Sequence, residues 1–121
     1  MKRAKSVQVV VYRDTDGGRE YLLLLRHRAG TDAFWQPVSG SLEDGETFGD
    51  AARREFDEET GLGVPESLVE IGLVDRFAIA PAWREFYDSH VTHNVQMAFA
   101  ARVGCGDVTI DPGEHLDHRW E

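Results

Sequence analysis

Short stretches in which apolar residues alternate with polar ones, or run together, recur along the chain. This pattern is typical of β-strands. It predicts strands over residues 6–12, 21–25, 38–41, 70–80, 94–103 and 116–120. Turn residues at positions 14–18 separate the first two strands and predict a β-hairpin.

Alternate positions of the two longest predicted strands are apolar, which predicts one buried face for each strand. These positions are Ile71, Leu73, Phe77 and Ile79 in the first, and Val95, Met97, Phe99 and Ala101 in the second.

Residues 47–60 show the only clear helical pattern. Thr47 and Asp50 have the spacing of a capping pair at its start, and Gly61 suits its end. The predicted order is three strands, one helix and three strands. It favours an α+β fold with a mixed sheet over a doubly wound fold.

The helical wheel places Glu55, Glu58 and Glu59 on the side of the helix that also carries its apolar residues. The other side, predicted to face solvent, carries Asp50, Arg53, Arg54 and Asp57. Three carboxylates on the core-directed side repel one another and lose hydration unless a cation lies among them.

Composition narrows the class of protein. The 121 residues are 41% hydrophobic, the net charge is −9, and Cys105 is the single cysteine. A disulfide within the chain and a cysteine-based metal site are therefore excluded, and the negative charge argues against a nucleic-acid-binding role. No apolar run reaches the length of a membrane helix, so we expect a soluble, cytoplasmic protein without a membrane partner.

The negative charge is concentrated in residues 40–62, which hold eight acidic and two basic side chains. Such a segment can simply be a solvated helix face. Oxygen ligands without Cys or His select Mg²⁺, Mn²⁺ or Ca²⁺ over zinc. Carboxylates fixed on a helix leave coordination positions open for water and phosphate, which favours Mg²⁺, with Mn²⁺ as the alternative.

Residues 40–62 also contain a motif: Gly40, five residues, Glu46, seven residues, and then Arg-Glu-Phe-Asp-Glu-Glu-Thr-Gly-Leu. It resembles the signature of the Nudix hydrolases at every position. The resemblance implies a single Nudix domain over residues 1–121, an α/β/α sandwich in which the catalytic helix packs on a mixed sheet. Members usually continue into a C-terminal helix, which this sequence does not show.

The resemblance further implies that Glu55, Glu58 and Glu59 hold Mg²⁺ together with the carbonyl of Gly40, and that Arg54 orients the glutamates. Glu46 would tie the preceding loop to the helix. The implied reaction is hydrolysis of a phosphoric anhydride by a metal-activated water. The general base, either Glu55 or a carboxylate from another loop, stays open.

The run Phe-Trp-Gln-Pro-Val-Ser-Gly-Ser-Leu-Glu at residues 34–43 is similar to dihydroneopterin triphosphate pyrophosphatases more than to 8-oxo-dGTP hydrolases. Two shorter segments, 91–94 and 114–120, agree. This resemblance implies that Glu114 is an additional metal ligand or the base. Alternatively, Glu114 is an exposed acid in the turn that begins at Asp111.

Four more residues are candidate substrate contacts. Trp35 is predicted to stack on a pterin or purine ring, with a place in the core as the alternative. Arg26 and Arg28 are candidates for contacting the triphosphate, and His93 for contacting the ring or a phosphate.

His115 and His118 have the look of a metal-binding pair. Residues three apart on a regular strand point to opposite faces, so we reject chelation by this pair.

The expected function is thus Mg²⁺-dependent hydrolysis of dihydroneopterin triphosphate, or a related small-molecule nucleoside triphosphate, to a monophosphate and pyrophosphate. The alternatives are a general nucleotide-sanitising pyrophosphatase and a non-catalytic nucleotide-sensing module. The oligomeric state does not follow from the sequence.

Overall fold

The computed structural model of the protein describes residues 5–26, 33–78, 93–104 and 106–121, with the side chains of all of these except 73–78, 93 and 94. The described elements are β1 (Lys5–Thr15), β2 (Gly18–Arg26), β3 (Phe34–Gln36), β4 (Val38–Ser41), α1 (Phe48–Thr60), β5 (Ser67–Ala78), β6 (His93–Arg102) and β7 (His115–Trp120).

The sheet is mixed, and β1 lies at its centre. β1 pairs antiparallel with β2 and β4 and parallel with β6, so that Val9 lies opposite both Val38 and Phe99. β2 also pairs antiparallel with β3 and β7, and β5 pairs antiparallel with β6. The end of β4 and the start of β7 border the site described below.

One face of the sheet forms the core with α1. Val7, Val9 and Val11 are at most 1% exposed because they lie on this face, opposite Met97, Phe99 and Ala101 of β6. The predicted shared face of residues 97, 99 and 101 is therefore confirmed. The helix contributes the buried Ala51, Ala52 and Phe56.

Helix α1 has the predicted caps. The side-chain oxygen of Thr47 accepts from the backbone N–H of Asp50, and the Asp50 carboxylate accepts from the N–H of Thr47, both at 3.1 Å. The helix ends at Gly61, whose φ of 69° is left-handed and whose N–H donates to the carbonyl of Asp57 at 2.8 Å. Glycine adopts this conformation without a side-chain clash. Local signals thus fix both ends of the helix that carries the acidic residues.

Three strand features differ from the prediction. The pattern does not predict the three-residue strand β3, and β5 begins earlier than the predicted residue 70. A register shift between Glu70 and Gly72 makes Ile71 an extra residue in β5, and Ile71 is 61% exposed. Alternation therefore breaks at Ile71, and the prediction that Ile71 lies on the buried face is wrong. The predicted position of Ile79 lies outside the described residues.

The α+β class with a mixed sheet and one packed helix is confirmed. A second helical layer is not present among the described residues. None of their helices combines the length and the apolar character that a membrane span requires.

Candidate metal centre

A cavity of about 330 Å³ opens between the end of β4, one side of α1 and the start of β7. Five glutamates, two arginines and three small residues line it: Glu43, Glu55, Glu58, Glu59, Glu114, Arg26, Arg54, Ser39, Gly40 and Ser41. Four of the eight acidic residues of segment 40–62 therefore line one concave site, together with Glu114.

Gly40 allows the helix to approach β4 closely. A Cβ atom on this residue would lie 2.1 Å from the side-chain carbon Cδ of Glu55, a distance no real Cβ tolerates. Only glycine leaves room for this carboxylate against the strand. The backbone of Gly40 and the Glu55 carboxylate thus face the same cavity.

Glu59 is a buried carboxyl group, with 2% of the residue exposed. Its Oε2 accepts a hydrogen bond from the backbone N–H of Ser39 at 3.1 Å. The pKa of Glu59 is raised from 4.5 to about 8, mainly by burial and to a lesser extent by the negative charge of Glu55. Burial also raises the pKa of Glu55, which is 9% exposed, although Arg54 opposes this shift. These two groups are costly to ionise together without a cation.

Arg54 connects the loop before the helix to the cavity. Its Nε and Nη2 donate to the two carboxylate oxygens of Glu46, and Nη2 also donates to the carbonyl of Ser41. Its Nη1 donates to Glu55 at 2.7 Å and to Glu58 at 3.2 Å. Hydrogen bonding to Arg54 holds the pKa of Glu46 below its ordinary value.

Two helical-wheel predictions need correction. The side chain of Arg54 is only 20% exposed rather than solvated, because residues 41–46 fold against it. The side chain of Glu58 is 58% exposed and lies at the rim instead of in the core-directed layer.

Glu114 and His115 bring β7 to the same site. Glu114 is exposed, whereas His115 is 1% exposed. One ligand atom from each of Glu59, Glu114 and His115 lies within 4.8 Å of the others. The structure therefore adds a nitrogen donor to a site that the sequence predicted to be all oxygen.

A β-bulge explains why the side chain of His115 does not lie on the face that the sequence pattern predicts. Arg26 pairs with His115 but Leu25 pairs with Asp117, so Leu116 is an extra residue. His115 and His118 thus lie opposite Arg26 and Leu24, which share one face of β2. The expectation that the two histidines point to opposite faces is wrong. The three residues whose ligand atoms lie within 4.8 Å of one another nevertheless include His115 and not His118.

The candidate substrate contacts separate into three cases. Arg26 lines the cavity, and its charge opposes the rise in the pKa of Glu59. Trp35 is half-buried outside the cavity wall, with the guanidinium of Arg119 4.1 Å from its ring centroid. Arg28 and the side chain of His93 lie outside the described residues.

Sequence reasoning missed three groups: the Ser39 N–H that binds Glu59, the Ser41 carbonyl that binds Arg54, and His115. Backbone groups carry no residue-specific signal. His115 does carry a sequence signal, since it directly follows Glu114. The bulge that orients its side chain is not visible in a single sequence.

The donor set fits a divalent cation. Carboxylate oxygens are the ligands that Mg²⁺ and Mn²⁺ prefer, and a cation would offset the repulsion between the buried Glu55 and Glu59. The buried ring nitrogens of His115, which have no hydrogen-bond partner among the described residues, point to the same conclusion, because such atoms ordinarily have a partner.

Comparison with known proteins agrees with the geometry. The family model for the NUDIX domain matches residues 2–121. Dihydroneopterin triphosphate diphosphatase of Escherichia coli K12 is 35% identical over 123 residues, covering 98% of this chain and 78% of that protein. The same enzyme of Haemophilus influenzae is 33% identical, and the alignment covers 98% of this chain and 74% of that protein.

A solved structure, that of the E. coli dihydroneopterin triphosphate pyrophosphohydrolase, superposes with a TM-score of 0.79 at 31% identity. The match covers 98% of this chain and 80% of that one. Because the family model, these relatives and the acidic helix on a mixed sheet all agree, the chain belongs to the Nudix family and is a Nudix hydrolase.

Proposed function

We propose that the protein is a Mg²⁺-dependent pyrophosphohydrolase that converts dihydroneopterin triphosphate, or a related nucleoside triphosphate, to a monophosphate and pyrophosphate. The observation that carries the proposal is the pair of buried carboxylates, Glu55 and Glu59, on the wall of an open cavity. Their mutual repulsion favours a bound cation. The activity of the relatives described above supports the choice of substrate.

In this proposal Glu55, Glu58 and Glu59 hold the ion together with the carbonyl of Gly40 and with Glu114. A bound Mg²⁺ supplies an acidified water and neutralises charge on the phosphate oxygens. Mn²⁺ is the alternative ion. The cavity has both buried and exposed carboxylates, so it can bind an ion and still admit a charged substrate.

The remaining residues position these groups. Arg54 holds Oε1 of Glu55 at 2.7 Å, which fixes that carboxylate against the strand. Arg26 offers a guanidinium at the cavity wall that suits the phosphate oxygens of a triphosphate. The attacking water loses its proton to a carboxylate of the cluster, for which Glu55 and Glu114 are the two candidates.

The test is a substrate panel in Mg²⁺ containing dihydroneopterin triphosphate, dGTP, 8-oxo-dGTP and ATP. Release of pyrophosphate and of orthophosphate is measured separately. We expect pyrophosphate release with the highest kcat/KM on dihydroneopterin triphosphate. Glu55→Gln and Glu59→Gln should each lower kcat at least about a hundredfold, or about 2.7 kcal/mol. Glu70→Gln, an exposed carboxylate on β5, is the matched control.

The alternatives give different results. Similar kcat/KM values on all nucleoside triphosphates would indicate a general nucleotide-sanitising enzyme. Tight binding of a nucleotide without turnover would indicate a sensing module. Orthophosphate as the only product would contradict the proposed position of attack.

A further inference from the structure

His115 is a buried polar side chain that has no partner in the described part of the chain. It is 1% exposed, and neither Nδ1 nor Nε2 has a hydrogen-bond partner among residues 5–26, 33–78, 93–104 and 106–121. A buried polar group ordinarily has one, because desolvation without compensation is costly. The ring therefore requires a partner that the described residues do not supply.

The position of the ring indicates what that partner is. A His115 ligand nitrogen lies within 4.8 Å of carboxylate oxygens of both Glu59 and Glu114, and those oxygens lie within 4.8 Å of each other. The two carboxylates come from different elements, α1 and the turn before β7. An imidazole between two carboxylates is a donor set that metal ions bind.

We propose that His115 is a nitrogen ligand of a divalent ion that Glu59 and Glu114 hold with it, giving this end of the site mixed nitrogen and oxygen coordination. The inference deepens the proposed function and rests on it, since it concerns the same metal centre. It adds one ligand that the acidic helix does not supply. It also changes the class of ion that the site prefers.

The backbone holds the two neighbouring ligands together. The N–H groups of Glu114 and His115 both donate to the carbonyl of Asp111, at 3.0 and 2.8 Å. The bulge at Leu116 then directs His115 to the cavity side of β2. Both ligands therefore start from a fixed turn.

The spacing suits a single ion after at most a modest closing movement. Neighbouring ligand atoms of one octahedral ion lie about 3 Å apart when each bond is about 2.1 Å. Because Glu114 is exposed, its side chain can adjust by rotation. Glu59 and His115 are buried and supply the rigid part of the site.

A nitrogen ligand alters selectivity. Imidazole suits transition metals better than it suits Mg²⁺ or Ca²⁺, whereas carboxylates suit all of these ions. We therefore expect Mn²⁺ to bind more tightly than Mg²⁺, and the preference to depend on His115. His118, which lies on the same strand outside the group, should not contribute.

The experiment is electron spin-echo spectroscopy of Mn²⁺ added to the wild-type protein, with and without ¹⁵N-labelled histidine. A coordinated imidazole modulates the Mn²⁺ spin echo at ¹⁴N frequencies, and ¹⁵N labelling of histidine abolishes this modulation. The modulation should disappear in His115→Asn and persist when any of the other four histidines is replaced by asparagine: His27, His90, His93 or His118. Titration should show at least about tenfold weaker Mn²⁺ binding in His115→Asn, with a smaller change for Mg²⁺.

The outcomes separate this inference from the proposed function. Histidine modulation that survives when His27, His90, His93 and His118 are all replaced supports the inference, even if no substrate is hydrolysed or His115→Asn fails to fold. Turnover without histidine modulation overturns the inference and leaves the proposed function intact. Absence of Mn²⁺ binding overturns the inference, and absence of both Mn²⁺ and Mg²⁺ binding overturns the proposed function as well.

Discussion

Arg54 binds both carboxylate oxygens of Glu46: its Nε lies 2.8 Å from Oε2, and its Nη2 lies 2.9 Å from Oε1. Oε1 of Glu46 in turn accepts a hydrogen bond from the backbone N–H of Glu43 at 2.7 Å. The loop before the helix is thereby fixed to the same guanidinium that holds Glu55. One planar side chain thus sets the distance between the loop and the cavity-facing carboxylate of Glu55.

Arg54→Lys should lower both activity and stability, because an ammonium group cannot reproduce the planar set of donors. We expect kcat to fall at least about tenfold and the free energy of unfolding to fall by about 1–3 kcal/mol. Arg53→Lys changes an exposed neighbour and should alter stability by less than about 0.5 kcal/mol. Equal effects in the two variants would contradict the positioning role of Arg54.

Gly40→Ala should displace Glu55, because the added Cβ overlaps its carboxylate. We expect a lower Tm and weaker Mg²⁺ binding, measured by thermal melting and calorimetric titration. Ser39→Ala is the control, since the backbone N–H that binds Glu59 is retained. In the double variant Gly40→Ala with Glu55→Ala, stability should recover and activity should not. A Gly40→Ala protein that binds Mg²⁺ normally would show that the close approach is unimportant.

The metal-free protein should lose stability as the pH rises. The pKa of Glu59 is about 8 in the folded protein against 4.5 ordinarily. The folded state therefore binds more protons than the unfolded state between these values, and the free energy of unfolding falls across this window and levels off above it. The slope is at most about 1.4 kcal/mol per pH unit for this one group.

Denaturant unfolding in EDTA from pH 5 to pH 9 measures this effect. Glu59→Gln should flatten the profile, whereas Glu70→Gln should follow the wild type. Saturating Mg²⁺ at pH 8 should restore the lost stability, because an ion that binds only the folded state stabilises it. A wild-type profile that is flat in EDTA would contradict the raised pKa.

Glu114→Ala should lower kcat at least about tenfold, or about 1.4 kcal/mol of barrier, because its carboxylate lines the cavity beside Glu59. Stability should change little, since the residue is exposed. Glu66→Ala, another exposed glutamate, is the control. If Glu114→Ala retains wild-type turnover, Glu114 is a surface residue of the turn.

Trp35→Ala should act on stability more than on substrate binding. The ring is half-buried against Arg119 and lies outside the wall of the metal cavity. We expect a loss of about 1–3 kcal/mol of unfolding free energy, with KM for dihydroneopterin triphosphate and dGTP each within about twofold. A large rise in KM for the pterin substrate alone would instead support ring stacking on Trp35.

The sequence predicted best what is local. Thr47, Asp50 and Gly61 define the helix through contacts a few residues apart, and the motif places Glu55 and Glu59 together because both are on that helix. The exposure of Glu58 was not predictable, since it depends on which part of the helix the sheet covers. The bulges at Ile71 and Leu116 interrupt the alternation of their strands, and a single sequence does not display them.

The central strand has a consequence for how the protein folds. β1 pairs with β6, so Val7 lies opposite Met97, 90 residues away along the chain. Contacts between residues so distant in sequence form late, because the chain must first lose the entropy of closing a long loop. The β1–β2 hairpin can form early, with Tyr12 opposite Tyr21. The acidic helix packs on β1 and β4, whereas Glu114 precedes β7, which follows β6 in the chain. A refolding chain should therefore acquire its full Mg²⁺ affinity only in its slowest phase.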